Sequence, residues 1–321
     1  MSEDDKCIVQ RVVIKSVFTS ELFDTITNLH TKIESLTAEH RIHGKLTEKI
    51  LATMKMDSHV FTALPIAASR AIAYGRPDSL VNDPLAAKFL KGHENLLHHA
   101  SANTEYMTMR CLIGDDLVLK QHGKGVRQVV SLGAGMDSRA FRLDIPGTTF
   151  YEVDKPDLFK LKEPLVEDVP LTCSERKTVV GTLGEMNLGE SLQNAGFDPS
   201  QPTTWLMEGL LPYLTRPIMQ SVAEEIGELS APGSGLWGDS FSKTSVDGGM
   251  VFHGVPFASG WDDYDVLFRT VGFDTSTAMD FAGIWLDRKE RRVKMDQRYV
   301  LTPETTRGRQ VCLMVQAYKT K

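Results

Sequence analysis

The chain has 321 residues, of which 41% are hydrophobic and 24% are charged, so it has the composition of an ordinary soluble globular protein with enough length for a sizeable core. Its formal net charge of −6 argues against a main role in nucleic-acid binding, because such proteins usually carry a basic excess or a basic face. The basic run DRKERRVK around Arg291 is better explained as the solvated edge of a strand or loop.

The cysteines and the N-terminal sequence bear on metal content and location. Cys7, Cys111, Cys173 and Cys312 have neither CxxC nor Cys/His spacing, so neither a zinc site nor a disulfide framework is predicted. The N-terminal MSEDDKCIVQ lacks the basic start and apolar run of a signal peptide. No apolar stretch approaches the roughly 20 residues of a membrane helix. We therefore expect a cytoplasmic protein without a metal site or a membrane segment.

The first predicted element is a helix within residues 20–54. The apolar positions of this segment alternate four and three residues apart: Leu22, Ile26, Leu29, Ile33 and Leu36. Such spacing places one apolar stripe along a helix. We interpret residues 1–56 as a helical N-terminal extension whose stripe packs against the body of the protein. Contact with a partner helix, which would give a homo-oligomer, is the alternative.

Residues 57–125 also have a mostly helical pattern, interrupted by the turn-rich YGRPDSLVNDP, and are interpreted as a helical cover that lines the site. Within residues 126–321, the predicted core, strand-like runs alternate with helix-like ones. The strand-like runs are RQVVSL, TTFYEV, RKTVVG, TTWLME, SGLWGDSF and RQVCLMVQAYK. This alternation predicts an α/β fold in which a mainly parallel sheet is covered by helices on both faces.

The run VVSLGAGMDSRAF, residues 129–141, predicts a strand, a tight turn and a helix. Ligands of such sheets bind at the carboxyl ends of the strands, which is where this turn would lie. Gly133 and Gly135 have no side chain, so the backbone can approach a ligand closely. Taken alone, the two glycines are equally well explained by any tight strand-to-helix turn.

The second predicted strand favours a ligand that contains a nucleoside. TTFYEVDKP ends with Glu152 and Asp154, and the separation of Asp154 from Gly133 is typical of a carboxylate that binds ribose hydroxyls. A dinucleotide site prefers a third glycine, but Ser138 occupies that position and Asp137 would repel a pyrophosphate. S-adenosylmethionine has a positive sulfonium and no phosphate, so an acidic crevice suits it better.

Three blocks in this order and spacing, VVSLGAGMDSRAFRL, FYEVDKP and WLMEGLLPYL, resemble the leucine carboxyl methyltransferase family, in the broad sense that includes bacterial and fungal small-molecule O-methyltransferases. ASRAIAYGRPDSLVNDPLAAKFL resembles the family's N-terminal segment, and the likeness extends from about Val60 to about Tyr318. The resemblance implies a Rossmann-like class I methyltransferase fold with a seven-stranded sheet, and S-adenosylmethionine as the cofactor.

The resemblance also implies roles for particular residues. Gly133 and Gly135 match the glycines of the cofactor turn, and Asp154 matches the acid that holds the ribose. Glu208 matches an acid beside the cofactor. Arg110 matches the arginine that engages the methionine carboxylate, a task that suits a guanidinium.

The resemblance to the family is less direct for the remaining cofactor-binding residues, Arg70, Thr182 and Leu183. Arg70 corresponds to a second basic residue near the methionine carboxylate. Many relatives have an Asp-Leu pair near the adenine, whereas VVGTLGEMNL has Thr182 and Leu183 at the corresponding position. The Thr182 hydroxyl could bond the adenine amino group, or Glu185 could take over that contact.

Tyr213 and His253 are the candidates to face the methyl acceptor. A carboxylate acceptor needs no base, whereas a hydroxyl or phenol can need one to remove its proton. We favour a substrate-shaping role for Tyr213 and an ordinary loop position for His253, with catalysis as the alternative for each. The glycine-rich KTSVDGGMVFHGVPFASGW, residues 243–261, is expected to form a lid.

These observations predict an S-adenosylmethionine-dependent O-methyltransferase that acts on a carboxylate or hydroxyl of a small molecule, such as a secondary metabolite. The alternatives are a methyltransferase acting on the C-terminal leucine carboxylate of a protein, and a protein that binds the cofactor without transferring the methyl group. The partner expected from the first reading is a small-molecule methyl acceptor.

Overall fold

The computed structural model describes residues 58–98 and 104–321. The predicted extension of residues 1–56, with its apolar stripe, lies outside the described residues. The helices are α1 Ser58–Tyr74, α2 Thr104–Gly123, α3 Arg139–Arg142, α4 Pro156–Val166, α5 Leu188–Asn194, α6 Arg216–Glu228, α7 Lys243–Asp247, α8 Tyr264–Thr270 and α9 Pro303–Thr306.

The strands follow the predicted alternation with helices. They are β1 Gln128–Leu132, β2 Ile145–Asp154, β3 Cys173–Val180, β4 Thr203–Met207, β5 Gly235–Phe241, β6 Val251–Phe252, β7 Val255–Pro256, β8 Thr275–Asp280, β9 Ile284–Asp287, β10 Arg292–Met295, β11 Val300–Leu301 and β12 Cys312–Tyr318. All six strand-like runs of the sequence coincide with strands of the central sheet.

The central sheet has the order β11-β8-β12-β5-β4-β1-β2-β3. Strands β1 to β5 pair with one another in parallel, whereas β12 pairs antiparallel with both β5 and β8. The predicted α/β fold with a mainly parallel sheet is therefore confirmed. The sheet has eight strands rather than seven because the two-residue β11 adds an antiparallel pairing at the edge of β8.

The order of the strands creates a natural binding crevice. After β1 the chain builds β2 and β3 on one side, and it then returns to build β4 on the other side of β1. Such a reversal leaves an opening at the carboxyl ends of β1 and β4, which is where ligands bind in open α/β sheets. The register pairs Leu132 with Val153 and Ser131 with Leu206, so β1, β2 and β4 end at nearly the same level.

The sheet separates two apolar layers. Val129 belongs to a cluster that also contains Leu117 and Trp237, whereas the next residue, Val130, belongs to a second cluster with Trp205. Successive side chains of a strand point to opposite faces. All five residues of β1 are buried, as are all five of β4. Helices therefore cover both faces of the central strands, and the site at their ends has rigid support.

Helix α2 explains how charged residues come to be buried beside this sheet. Most of its 20 residues are buried, and its contacts include α1 and the strands β2, β4 and β5. Arg110 and Asp115 are both buried within it. Within residues 58–98 and 104–321, no helix combines the length and the apolar character needed to cross a membrane.

Candidate functional site

A cavity of about 290 Å³ lies at the carboxyl ends of β1, β2 and β4. Nine of the ten site residues predicted from the sequence line it: Arg70, Arg110, Gly133, Gly135, Asp154, Thr182, Leu183, Glu208 and Tyr213. The exception is His253. These residues come from six segments that are distant in sequence, and the fold brings them to one cavity. Spacing points only to Gly133, Gly135 and Asp154, and the family resemblance or its neighbouring blocks point to the others.

The turn after β1 requires glycine at its first position. Gly133 has a φ of +62°, and a Cβ on it would lie 2.9 Å from Cδ1 of Leu210. The amides of Gly133 and Ala134 both donate to the carbonyl of Val153, at 2.9 and 3.2 Å. The turn is therefore tied to β2 and brings bare backbone to the cavity.

A matched pair of glycines tests this requirement. Gly133→Ala is expected to lower the free energy of unfolding by about 1–3 kcal/mol more than Gly125→Ala does. Both residues have a positive φ, so both variants carry the backbone cost, but a Cβ on Gly125 would meet no atom within 4 Å. Urea unfolding of the two variants measures the difference. Equal losses would show that Leu210 moves aside freely.

Asp154 is held in place by main-chain amides. Its Oδ2 accepts a hydrogen bond from the Gly135 amide at 2.8 Å, and its Oδ1 accepts one from the Lys155 amide at 2.7 Å. Burial raises the pKa of this carboxyl, and the two amides lower it again in part. Glu152, two residues earlier, instead pairs with Lys162 and Arg176 and does not line the cavity.

Arg110, which is buried, and Glu208, which is partly buried, form an ion pair at the cavity wall. Nε of Arg110 lies 3.3 Å from Oε1 of Glu208, and its Nη1 lies 3.3 Å from Oδ2 of Asp239. Burial alone would lower the pKa of Arg110, but the carboxylates of Asp239 and Glu208 raise it above its ordinary value. The guanidinium is therefore permanently charged and has a fixed orientation.

Arg139 holds the other side of Glu208. It donates to Oε2 of Glu208 at 2.6 Å, to Oδ1 of Asp115 at 2.8 Å and to Oδ2 of Asp137 at 2.8 Å. It also donates to the carbonyl of Cys111 at 3.1 Å. One buried guanidinium thus connects the turn after β1, helix α2 and the end of β4.

These contacts correct one step of the sequence argument. Burial alone would raise the pKa of Asp137, but the adjacent Arg139 lowers it well below its ordinary value. Ser131 also donates to Asp137. The negative charge of Asp137 is therefore balanced locally and does not by itself exclude a pyrophosphate.

Salt bridges connect three arginines and four carboxylates beside the cavity: Arg110, Arg139, Arg142, Asp115, Asp137, Glu208 and Asp239. Of the charged residues that line the cavity itself, four are basic, Arg70, Arg110, Arg139 and Lys155, and three are acidic, Asp137, Asp154 and Glu208. The wall therefore offers groups of both signs to a ligand.

Arg70 joins α1 to the glycine turn. Its Nε pairs with the buried Asp83 at 2.8 Å, and its Nη2 donates to the carbonyl of Met136. The guanidinium lines the cavity, but these bonds also give it a structural task. The two predicted adenine contacts, Thr182 and Leu183, line the cavity as well, whereas Glu185 lies on a separate acidic groove beside α5 and α6.

Tyr213 lies in a short 3₁₀ turn after β4 and lines the cavity. Its hydroxyl forms a hydrogen bond with Thr62, and Phe257 packs edge-on against its ring with the centroids 5.2 Å apart. Burial raises the pKa of Tyr213, so the phenol stays protonated well above neutral pH. This environment favours a donor or shaping role over a general base.

His253 is in a different setting from the other candidates. It occupies the turn between β6 and β7 with a φ of +48°, followed by Gly254 with a φ of +80°, as in the tight turns of two-residue hairpins. Its ring packs edge-on against Phe252. It is not among the residues that line the cavity, so the geometry offers no support for its use as a base.

The predicted lid segment is attached at its C-terminal end. The Ala258 amide donates to the carbonyl of Pro212 at 2.7 Å, and the Ser259 hydroxyl donates to the carbonyl of Leu214. Phe257 stacks on Phe241 as well as contacting Tyr213. These bonds fix residues 257–259 beside the cavity. Movement of the rest of the segment stays a prediction.

Three residues beside the site were not predicted from the sequence: Arg139, Asp239 and Tyr106. Asp239 could have been noticed, because it is the one acidic residue of strand β5, whose sequence GLWGDSF otherwise contains apolar or small residues. Arg139 had no such signal. An arginine near the start of a helix usually lies in solvent, and the acids that surround this one come from distant parts of the chain.

The strand order, the glycine turn after β1 and the acid at the end of β2 define a Rossmann-like fold of the class I methyltransferase type, as predicted. The model of the leucine carboxyl methyltransferase family matches residues 63–227, about half of the chain. The chain therefore belongs to the leucine carboxyl methyltransferase family.

Similar proteins agree with this membership. A protein of Mycolicibacterium smegmatis, named "Putative S-adenosyl-L-methionine-dependent methyltransferase", is 39% identical over 195 residues, which cover 54% of this chain and 64% of that protein. A protein with the same description from Rhodococcus jostii is 37% identical over 194 residues, which cover 57% of this chain and 66% of that protein. The matched region thus spans slightly less than two thirds of these relatives.

Solved structures resemble the chain more distantly. The crystal structure of a protein described as a "putative methyltransferase" from Thermobifida fusca has a TM-score of 0.44 and 16% identity, over 79% of this chain and 94% of that one.

Proposed function

We propose that the cavity binds S-adenosylmethionine and that the protein transfers its methyl group to an oxygen of a small molecule. The observation that carries the proposal is the convergence of Gly133, Asp154, Arg110 and Glu208 on one cavity at the carboxyl ends of β1, β2 and β4. Each has the chemistry that one part of the cofactor requires.

The cavity fits the cofactor at three points. Gly133 and Gly135 line the cavity without side chains, so a ligand can approach their main chain closely. The Asp154 carboxylate is fixed by two amides and can accept hydrogen bonds from ribose hydroxyls. Arg110 and Glu208 place opposite charges side by side at the wall, which complements a ligand whose amino-acid end carries both a carboxylate and an ammonium.

Within this proposal, Arg110 receives the methionine carboxylate and Glu208 the methionine ammonium. Thr182 and Leu183 contact the adenine, and Arg70 supports the site from α1. The bound cofactor supplies a methyl group already activated for in-line displacement. Orientation alone can contribute about 7–11 kcal/mol to such a reaction, so the transfer requires no strong base.

The finer parts of the proposal concern the acceptor. Ile66, Leu214 and Ile218 give the cavity wall an apolar part, and Tyr213 adds a ring beside it. This lining supports a small organic acceptor whose hydroxyl or carboxylate reaches the methyl group. Cytoplasmic location and a homo-oligomer formed through the N-terminal segment stay predictions.

Transfer from radiolabelled S-adenosylmethionine tests the proposal. The full chain is incubated with three sets of acceptors: phenols and alcohols, small carboxylic acids, and peptides that end in leucine. We expect labelled product from one of the first two sets. Label on the peptides alone would favour protein carboxyl methylation. Cofactor binding without transfer to any of the three sets would contradict the proposal and favour a binding protein.

Two substitutions test whether a side-chain base is needed. Tyr213→Phe and His253→Ala are each expected to keep kcat/KM within about tenfold of the wild type, because a general base typically contributes 10²–10⁴-fold. The raised pKa of Tyr213 further predicts no increase in rate as pH approaches the ordinary tyrosine value. A loss of more than about a thousandfold with intact cofactor affinity would identify the base.

A further inference from the structure

We infer that Asp239 is a positioning residue for the methionine end of the cofactor, acting through Arg110 and the main chain at Gly209. The inference rests on the proposed function and extends it to a residue that lies behind the cavity wall. Asp239 is not among the residues that line the cavity. It therefore acts through the groups that it holds rather than by touching the ligand.

Asp239 is buried away from water, where a carboxylate without hydrogen-bond partners would destabilise the fold. It lies in β5 and is 1% exposed. A buried charge needs partners that replace water. Its Oδ1 accepts from the Gly209 amide at 2.7 Å, and its Oδ2 accepts from the Tyr106 hydroxyl at 2.7 Å and from Nη1 of Arg110 at 3.3 Å. The carboxylate thus joins β5, α2 and the loop after β4.

Gly209 brings the main chain of the loop after β4 into contact with the Arg110 guanidinium. A Cβ on Gly209 would lie 3.1 Å from Nη1 of Arg110 and 3.2 Å from its Nη2, so the guanidinium lies against the main chain there. Gly209 directly follows Glu208, which pairs with the same arginine. By holding both Arg110 and the Gly209 amide, Asp239 sets the distance between the cation and the loop that carries the acid.

Tyr106 completes the arrangement from helix α2. Arg110 lies over its ring, with Cζ 5.7 Å from the centroid, and Phe281 packs edge-on against the same ring at 4.6 Å. Burial, together with the charge of Asp239, raises the pKa of Tyr106, so its hydroxyl remains a donor. The aromatic ring and the carboxylate together restrict the guanidinium to one orientation.

The inference predicts a selective defect. S-adenosylhomocysteine carries the amino-acid end that Arg110 receives, whereas 5′-methylthioadenosine has the same nucleoside and lacks that end. Asp239→Asn keeps the size of the side chain and removes its charge. We expect it to weaken S-adenosylhomocysteine binding by roughly 10- to 100-fold. Affinity for 5′-methylthioadenosine should change by less than about threefold, because Asp154 and the glycine turn are untouched.

Two further variants separate positioning from general destabilisation. Tyr106→Phe removes one partner of Asp239 and is expected to give a smaller loss with the same selectivity, which also covers the case in which Asp239→Asn does not fold. Tyr264→Phe is the control. It removes a buried hydroxyl that lies 2.7 Å from Oγ of Ser240, the next residue of β5, and should leave both affinities unchanged.

Calorimetric titration of the full chain and these variants with both nucleosides gives the result. The quantity compared is the dissociation constant of S-adenosylhomocysteine divided by that of 5′-methylthioadenosine. A rise of this ratio in Asp239→Asn, or in Tyr106→Phe if the first variant is insoluble, supports the inference. Equal weakening of both ligands, or no change in either, overturns it while leaving the proposed function in place. If the wild type binds neither nucleoside, the proposed function and the inference both fail.

Discussion

Replacing Arg139 with methionine is expected to lower the free energy of unfolding by about 3–5 kcal/mol, the typical cost of removing one partner from a buried ion pair. The side chain is 4% exposed and pairs with Asp115, Asp137 and Glu208. Methionine can fill much of the space, but it leaves these carboxylates without their shared cation. Urea unfolding at neutral pH measures the loss.

The control for this substitution is Arg298→Met, since Arg298 is 81% exposed and pairs with Asp296. Exposed ion pairs contribute little, so we expect a change below about 1 kcal/mol. An equally small loss of unfolding free energy in the Arg139 variant would show that the buried network does not stabilise the fold.

The pH dependence of the Arg139 variant provides a second check. In the wild type, burial alone would raise the pKa values of Asp115 and Asp137, but the arginines beside them lower both below the unfolded value. Their contribution to stability is therefore present above the ordinary aspartate pKa and is lost as pH falls through the lower folded values. Without Arg139, Asp137 loses the cation that most lowers its pKa, whereas Asp115 keeps Arg142, so the variant is penalised most at neutral pH and chiefly through Asp137. The difference between the two proteins should shrink in acid.

The second large effect is expected at Asp154. Asp154→Ala should weaken S-adenosylmethionine binding about 10- to 100-fold, because it removes a charged hydrogen-bond acceptor for the ribose and releases the Gly135 and Lys155 amides. Asp157→Ala is a suitable control, since Asp157 lies one turn further along and pairs with the exposed Lys160. Unchanged affinity in Asp154→Ala would remove this residue from the site.

Much of the sheet could be predicted because its strands are locally distinctive. The runs that form β1 to β5 and β12 are apolar or β-branched and lie between turn residues. Strand β8, TSTAMD, was missed because it is short, polar at its start and without a clear alternation. It becomes a strand through pairing with β12, where Ala278 lies opposite Val315.

The residues of the candidate site also fall into two groups, those that the sequence predicts and those that it does not. Gly133 and Asp154 could be found from spacing within one strand–turn–helix–strand unit, because their contact is local in the chain. Asp239 and Arg139 act through partners up to 133 residues away, and such contacts depend on tertiary packing. Their types alone, an acid in a strand and an arginine at a helix start, do not specify those partners.

Calorimetric titration of the wild-type protein with S-adenosylmethionine, and then with NAD, tests the central claim most directly. We expect saturable binding of one S-adenosylmethionine per chain and its displacement by S-adenosylhomocysteine. NAD should not compete, because the turn after β1 has Ser138 where a dinucleotide site has its third glycine. Binding of NAD in competition with S-adenosylmethionine, or no binding of S-adenosylmethionine at all, would contradict it.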